Sequence, residues 1–327
     1  MKIGKLPETI LKRSVLRQIK HRREEVLVGP AIGEDCSVID LNDDEVIVMS
    51  TDPITGTVQD IGTLAVHITA NDIASSGADV IGIMLSILLP EITTEAELKN
   101  MMYDVDKVCE QLHIEVIGGH TEVTKAVNQP IVTVTGIGKM KKSDIIKTSG
   151  ARPGQEIVMT KWAGLEGTAI IAKSKEQELL SKYSSRFIKE AQQMIDYISV
   201  VPEAKIAMNV GITSMHDVTE GGIFGALWEI GAAGGVGLEV DLQKIKLRQE
   251  TVEICEFFDL NPYMLISSGS MLIICDNANL LVDRLKEEGI VASVIGRISE
   301  GNDRIVTNGE EQRYLEPPRM DELYKVM

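Results

Sequence analysis

The sequence predicts an α/β (α+β) protein built as two domains, and three observations carry that reading. The chain has 327 residues, which suits two domains at roughly 150 residues each. Short apolar strand runs alternate with helical stretches through both halves, as layered α/β architectures require. Between the halves the character changes at "KKSDIIKTSGARPGQ" (141–155), a polar stretch with Gly and Pro. The boundary is therefore placed there, giving an N-terminal domain over 1–148 and a C-terminal domain over 149–327.

The elements follow in order. "LPETILKRSVLRQIKHRR" (6–23) reads as a helix with Pro7 near its start. "VLVGPAIG" is a glycine-bearing approach to "GEDCSVID", and strands are expected at about 37–40 and 45–50 around the turn "LNDDE". A helix is expected over about 60–76. The apolar run "VIGIMLSILLP" (80–90) is far short of the roughly 20 residues of a membrane span, so it reads as a buried strand, covered on both faces. Thr94 and Glu97 fit a capping box for a helix reaching about 112. Strands "IEVIGG" and "IVTVTGIG" complete the first half.

The second half restarts with strand "EIVMTK" and the glycine-rich "AGLEGTAI", followed by helices to about 209. Short strands and helices alternate after that. "GAAGGVG" follows a helix and reads as its stop. The polar, proline-bearing tail from 310 is expected to wind over the surface.

Composition excludes several function classes. At 44% hydrophobic and 25% charged, the chain buries large cores. Its 49 acidic and 33 basic residues leave a net charge of −16. Nucleic acid demands a basic footprint, so it is not an expected partner. Anionic membrane is disfavoured on the same ground. The four cysteines at 36, 109, 255 and 275 form no Cys-x-x-Cys pair, which removes zinc ribbons and thioredoxin motifs. Free thiols with no secretory signal point to the cytoplasm.

Four segments place aspartates at element ends. "STDPITG" delivers Asp52 at the end of an apolar strand. "GEDCSV" puts Asp35 in a glycine loop, "ITANDIASSGADV" puts Asn71 and Asp72 in an apolar helix, and "TSMHDVTEGG" puts Asp217 between strand and helix. Each has an ordinary reading: turn chemistry for Asp35 and Asp52, and a capping box with Glu220 for Asp217. Asp72 resists one, because a carboxylate among Ile68, Ala70, Ile73 and Ala74 faces a burial cost of several kcal/mol. A magnesium ion held by such carboxylates together with substrate phosphates offsets that cost. "EVIGGHTEV" adds Gly118, Gly119, His120, Thr121 and Glu122 at another strand end. His120 and His216 flank glycine motifs, where an orienting role and a catalytic one are both open. Cys36 reads as a small packed side chain.

Eight stretches in order carry a resemblance over about residues 30–300: "GEDCSV", "STDPITG", "NDIASSGADVIGIMLSILLP", "GGHTEV", "TVTGIG", "SGARPGQEIV", "MHDVTEGGIFGALWEI" and "SSGSMLI". The set resembles the superfamily of AIR synthase, thiamine-monophosphate kinase, selenophosphate synthetase and the HypE-type hydrogenase-maturation proteins, with HypE-like proteins nearest. The resemblance implies an N-terminal domain that dimerises through its sheet, and an ATP site with Mg2+ held by Asp35, Asp52, Asp72 and Asp217. It implies nucleotide contacts from Thr51, Asn71, Gly118, Gly119, His120, Thr121 and Glu122, and catalytic roles for Asp217 and His216. It further implies phosphoryl transfer from ATP to an amide or carboxyl oxygen, with kinase activity on a small molecule or a non-catalytic nucleotide-binding dimer as the alternatives. The chain departs from HypE relatives in having Glu220 where they tend to carry Arg. It also ends "PPRMDELYKVM", without the C-terminal cysteine of that group. The expected substrate is therefore an amide-type group on a free metabolite or on a partner protein.

Overall fold

In a computed structural model, the described residues are 8–9, 12, 26–29, 31–34, 36–41, 44–55, 60–317 and 320–327. The helix expected over 6–23 (all but three of its residues) and Asp35 lie outside them. The described residues form two compact units. One holds 26–29 and 36–145; the other holds 146–327 together with Ala31–Glu34. Segment 31–34 joins the second unit for a local reason. The Glu34 carboxylate accepts from the Ser149 N–H at 3.3 Å. Gly33, at φ +74°, lies so close to the Glu229 carbonyl that a Cβ would sit 3.1 Å from it.

The first unit is a six-stranded mixed sheet, ordered β1 (Val26–Val28), β2 (Ser37–Asp40), β3 (Glu45–Ile54), β6 (Ile131–Lys141), β4 (Asp79–Leu89), β5 (Glu115–Val123). Only β4 and β5 pair in parallel. Helices Ile61–Ser75 and Glu95–Leu112 belong to the same unit. The expected capping box is formed: Thr94 Oγ1 accepts from the Glu97 N–H, and the Glu97 carboxylate accepts from the Thr94 N–H. Helix Ile61–Ser75 lies directly on β6 because "TVTGIG" puts two glycines under it. A Cβ at Gly136 would meet Thr69 Cγ2 at 2.5 Å, and one at Gly138 would meet Ile73 Cγ2 at 2.4 Å.

Two expectations are corrected here. Strand 79–89 is not covered on both faces within the chain: its residues alternate, and Ile81 and Met84 are 42% and 45% exposed. A continuous apolar run fits that pattern because one face takes the helices while the other stays open. The second correction concerns Asp52. The strand does not stop before it but runs to Ile54, with Asp52 opposite Val134 of β6.

The second unit is a seven-stranded sheet. Its order is β13 (Glu311–Tyr314), β12 (Arg304–Asn308), β9 (Gly237–Asp241), β11 (Ala292–Ser299), β7 (Glu156–Thr160), β10 (Met271–Cys275), β8 (Ile212–Asp217). Helix Gly222–Gly234 builds a core with it through Ile223, Leu227 and Ile230 against Ile157, Met159, Leu272 and Ile274. That helix stops at Gly235, φ +62°, as "GAAGGVG" leads one to expect. A second core joins helices Leu165–Ser174, Ser185–Gln192 and Gln249–Phe257. Leu323 belongs to it, so the tail does not merely wind over the surface: Asp321, Glu322 and Leu323 are buried. Among the described residues, no helix is long and apolar enough to cross a membrane.

Candidate functional site

In the first unit the site starts from strand alternation. Successive side chains of β3 point to opposite faces, so Ser50 and Asp52 share the helix side with the buried Val46 and Val48. The two glycines under helix Ile61–Ser75 let Asp72 reach that same side. Ser50 Oγ donates to Asp72 Oδ2 at 2.5 Å and also lies 3.4 Å from Asp52 Oδ2. One hydroxyl proton thus serves two carboxylates. Asp72 is 5% exposed while Asp52 is half-buried, so the pair opens toward solvent on the Asp52 side. Two carboxylates that share one hydroxyl offer oxygen ligands to a cation. The donors are all hard oxygens, and Mg2+ is commonly bound through one or two carboxylates with phosphates and waters supplying the rest. The residues present therefore fit Mg2+. Among the described residues, no three His, Cys, Asp or Glu side chains form a metal-binding group by themselves.

Neighbouring expected residues divide around this pair. Asn71 is fully buried beside Asp72. Cys36 Sγ donates to the Asp72 carbonyl at 3.1 Å, in keeping with a small packed side chain. Thr51 lies on the opposite face, where its hydroxyl meets Thr135 Oγ1 at 2.9 Å. Register carries the same division across the sheet: Asp52 pairs with Val134, Val134 with Leu85, and Leu85 with Gly119. Gly119, with Thr121 two residues on, is in register with the helix side. Gly118, His120 and Glu122 are in register with the open side. His120 Nε2 lies 3.3 Å from Glu122 Oε2, both exposed. The glycine pair of "GGHTEV" has a local cause, since a Cβ on Gly119 (φ +156°) would strike the Leu85 carbonyl at 2.2 Å.

In the second unit Asp217 ends β8, opposite Met271, and is 2% exposed. The capping box expected with Glu220 is absent: the helix begins at Gly222, with Gly221 at its N-cap and no side-chain cap bond. His216 points to the other face of the strand from Asp217. Its Nε2 lies 3.0 Å from Glu229 Oε2, and its Nδ1 lies 3.5 Å from Thr148 Oγ1. With Nε2–H donating to the carboxylate, the ring is held by both nitrogens.

Four titratable groups escaped the sequence reading. Burial pushes the Glu166 carboxyl up to about 7, with Asp321 and Glu220 adding to it against the opposing Ser268 hydrogen bonds. Burial likewise raises Asp321 to about 6, against three backbone N–H donors that favour its ionised form. Lys161 and Glu203 form a buried ion pair at 2.5 Å. They border a cavity of about 410 Å³ with Tyr197 and Ile290. The ammonium also donates to the Gly269 carbonyl at 2.9 Å, so its charge is already engaged. The one legible signal was glutamate between glycines in "AGLEGT"; nothing local marks Asp321.

Both domains match known protein families. Residues 33–140 match the N-terminal domain of AIR synthase related proteins, and residues 152–308 match the C-terminal domain. A hydrogenase expression/formation protein of Methanocaldococcus jannaschii is 25% identical over 301 residues, covering 90% of this chain and 88% of that protein. The carbamoyl dehydratase HypE of Rhodobacter capsulatus is 29% identical over 244 residues, covering 73% and 69%. A solved structure of hydrogenase maturation protein HypE in complex with ATP superposes with a TM-score of 0.74 at 21% identity, covering 98% of this chain and 96% of that one.

Proposed function

Matched by both domain families, this chain belongs to the AIR synthase related family, and from that premise we propose that it is a HypE-like enzyme that uses Mg2+ and ATP to activate an amide or carboxyl oxygen by phosphoryl transfer. The observation that carries the proposal is the Ser50-bridged pair of Asp52 and Asp72. In this reading the two carboxylates hold Mg2+, and Ser50 fixes their spacing. Bound Mg2+ would supply neutralisation of charge on the transferring phosphoryl group. Asp217 of the second half keeps the acidic role in ATP chemistry that the resemblance implies. His216, braced by Glu229 and Thr148, orients that strand end rather than moving a proton. Asn71 and Gly119 lie on the helix side with the carboxylates. Thr51, Gly118, His120 and Glu122 are on the open face, where a second copy of the chain docks in the proposed homodimer, and from there they reach the nucleotide held by that copy. The exposed Ile81 and Met84 are the apolar part of that face. In the reaction the substrate oxygen would form a bond to the γ-phosphorus as the bond to ADP breaks. The phosphate would then depart from carbon with that oxygen, as a primary amide nitrogen gives up its two protons to form a C≡N bond or, for a carboxyl, as an incoming nucleophile bonds to the carbon.

We propose that the acceptor group belongs to another molecule, because the thiols of this sequence are held otherwise: Cys36 Sγ donates to the Asp72 carbonyl at 3.1 Å. Burial pushes the thiols of Cys109, Cys255 and Cys275 up to about 11, 12 and 11, far from the thiolate that nucleophilic chemistry needs. Four free cysteines suit a reducing compartment, and we place the protein in the cytoplasm. The deciding experiment is calorimetry with ATP, with and without Mg2+, followed by product analysis. Mg2+-dependent binding and ADP release are expected. ADP together with a stably phosphorylated metabolite would instead indicate a small-molecule kinase, and nucleotide binding without turnover a regulatory dimer.

A further inference from the structure

Helix Gly222–Gly234 opens without a cap of its own. Its N-cap is Gly221, and its first turn contains no acidic residue. Helix N-termini expose N–H donors and a positive dipole end, and an uncapped buried one is costly. The chain meets that need from one hundred residues away. Asp321, 1% exposed, accepts from the Gly221 N–H through Oδ2 at 2.6 Å. Its Oδ1 accepts from the Ile266 N–H at 3.2 Å and from Leu323 N–H at 2.8 Å. One carboxylate thus ties together the Gly221 turn, the loop around Ile266 and its own segment. Beside it, Glu322 Oε2 accepts from the Asn261 N–H at 3.0 Å, and Leu323 is buried in the core with Leu260 and Leu265.

The turn so held connects Asp217 to the helix. Its two glycines sit at φ +90° and +62°, and a Cβ on Gly222 would lie 2.7 Å from the carbonyls of both Tyr263 and Leu265. The Val218 N–H donates to the Ser270 carbonyl at 2.9 Å, so the turn is fixed at its other end too. We infer that Asp321 is a positioning residue: from segment 320–327 it caps helix Gly222–Gly234 across the chain and thereby sets the turn that carries the Asp217 carboxylate. This rests on the proposed function only in giving Asp217 a role in ATP chemistry; the clasp itself does not depend on it.

Asp321→Asn tests this in the full chain. It keeps the volume and leaves one oxygen for Ile266 and Leu323, but sets an amide NH2 against the Gly221 N–H. Hydrogen exchange of the peptide spanning 217–224 should quicken about tenfold, the worth of a lost cap, while the peptide spanning 45–54 should not change. ADP formation should fall roughly tenfold or more in kcat, as misplaced groups cost, with KM for ATP held. Asp321→Ala provides a second variant, and both are checked for a cooperative melt. Unchanged exchange at 217–224 in both variants overturns the clasp. A loosened turn with unchanged kcat overturns the positioning role. If the unmutated protein shows no Mg2+-dependent ATP binding, the proposed function falls, and the exchange result still decides the clasp.

Discussion

The two halves of the molecule bury their acids differently. In the N-terminal unit Asp52 and Asp72 share one serine hydroxyl on the helix side, with the Asp52 carboxylate half-buried at the solvent edge of the pair. In the C-terminal unit Asp321 is met by three backbone N–H groups and Glu166 by desolvation, both almost fully enclosed. Two carboxylates that share one hydroxyl and open to solvent on one side suit a cation. A carboxylate with three donors has its partners already, and burial then decides its proton. In the proposed function the first arrangement is the metal site, and the second is architecture that supports it.

The largest effect expected from this contrast falls on the open pair. Asp52→Asn or Asp72→Asn should each weaken Mg2+-dependent ATP binding by about 100-fold or more, the cost of removing one partner from a charge-matched cluster. Binding of ATP without Mg2+ should change little. Calorimetry with and without the ion separates the two, and equal affinity in the variants would erase the distinction between the halves.

The enclosed acids should report through pH. The Glu166 carboxyl titrates at about 7 in the folded protein against an ordinary 4.5, so the folded state holds a proton that the unfolded state has released. Its contribution is fully present below about pH 4.5 and is lost as pH rises through about 7. Glu166→Gln, which fixes the neutral form, should flatten the loss of stability between pH 5 and 8 by an amount on the order of 2–3 kcal/mol. Asp321 acts in the same direction over a lower window, up to about 6. Urea melts at several pH values measure the slope, and a variant as pH-sensitive as the parent would show that Glu166 is not a buried neutral acid.

The same contrast explains what the sequence made legible. Strand and helix placement followed from apolar runs, and Thr94 with Glu97 marked a helix start because a capping box is local. Asp72 betrayed itself by polarity among apolar neighbours on its own helix. The division of "GGHTEV" between two faces was hidden, because a register shift lets Met84 pair with Gly118 directly after Ile83 pairs with Val116. One skipped residue reverses every following side chain. Asp321 was hidden by distance: its partners lie at Gly221 and Ile266, and a polar tail carries no local sign of what its carboxylate will meet.

A third effect tests how the open pair is assembled. Gly138→Ala would place a methyl 2.4 Å from Ile73 Cγ2, lifting helix Ile61–Ser75 off β6. Overpacking of this kind costs about 1–3 kcal/mol. Because Asp72 is carried on that helix, Mg2+-dependent affinity should drop along with the melting temperature. Lost stability with unaltered Mg2+ affinity would mean that Asp72 is positioned by Ser50 rather than by the fit of helix on strand.

The smallest effect should come from the open face. His120 and Glu122 form an exposed pair on β5, and such pairs contribute little to folding because solvent screens them. His120→Ala should therefore move the melting temperature of dilute protein by less than about 2 °C. Its side chain is in register with the face away from Asp52 and Asp72, so within one chain the Mg2+-dependent part of ATP binding should be untouched. A contribution that grows with protein concentration is a different matter, since it would report a second copy covering Ile81, Met84 and His120 together. Light scattering run beside the calorimetry distinguishes the cases. Weakened Mg2+-dependent binding in His120→Ala at concentrations where the chain is monomeric at about 36 kDa would place His120 with the carboxylates after all, and the division of the sheet into a metal face and a docking face would be wrong.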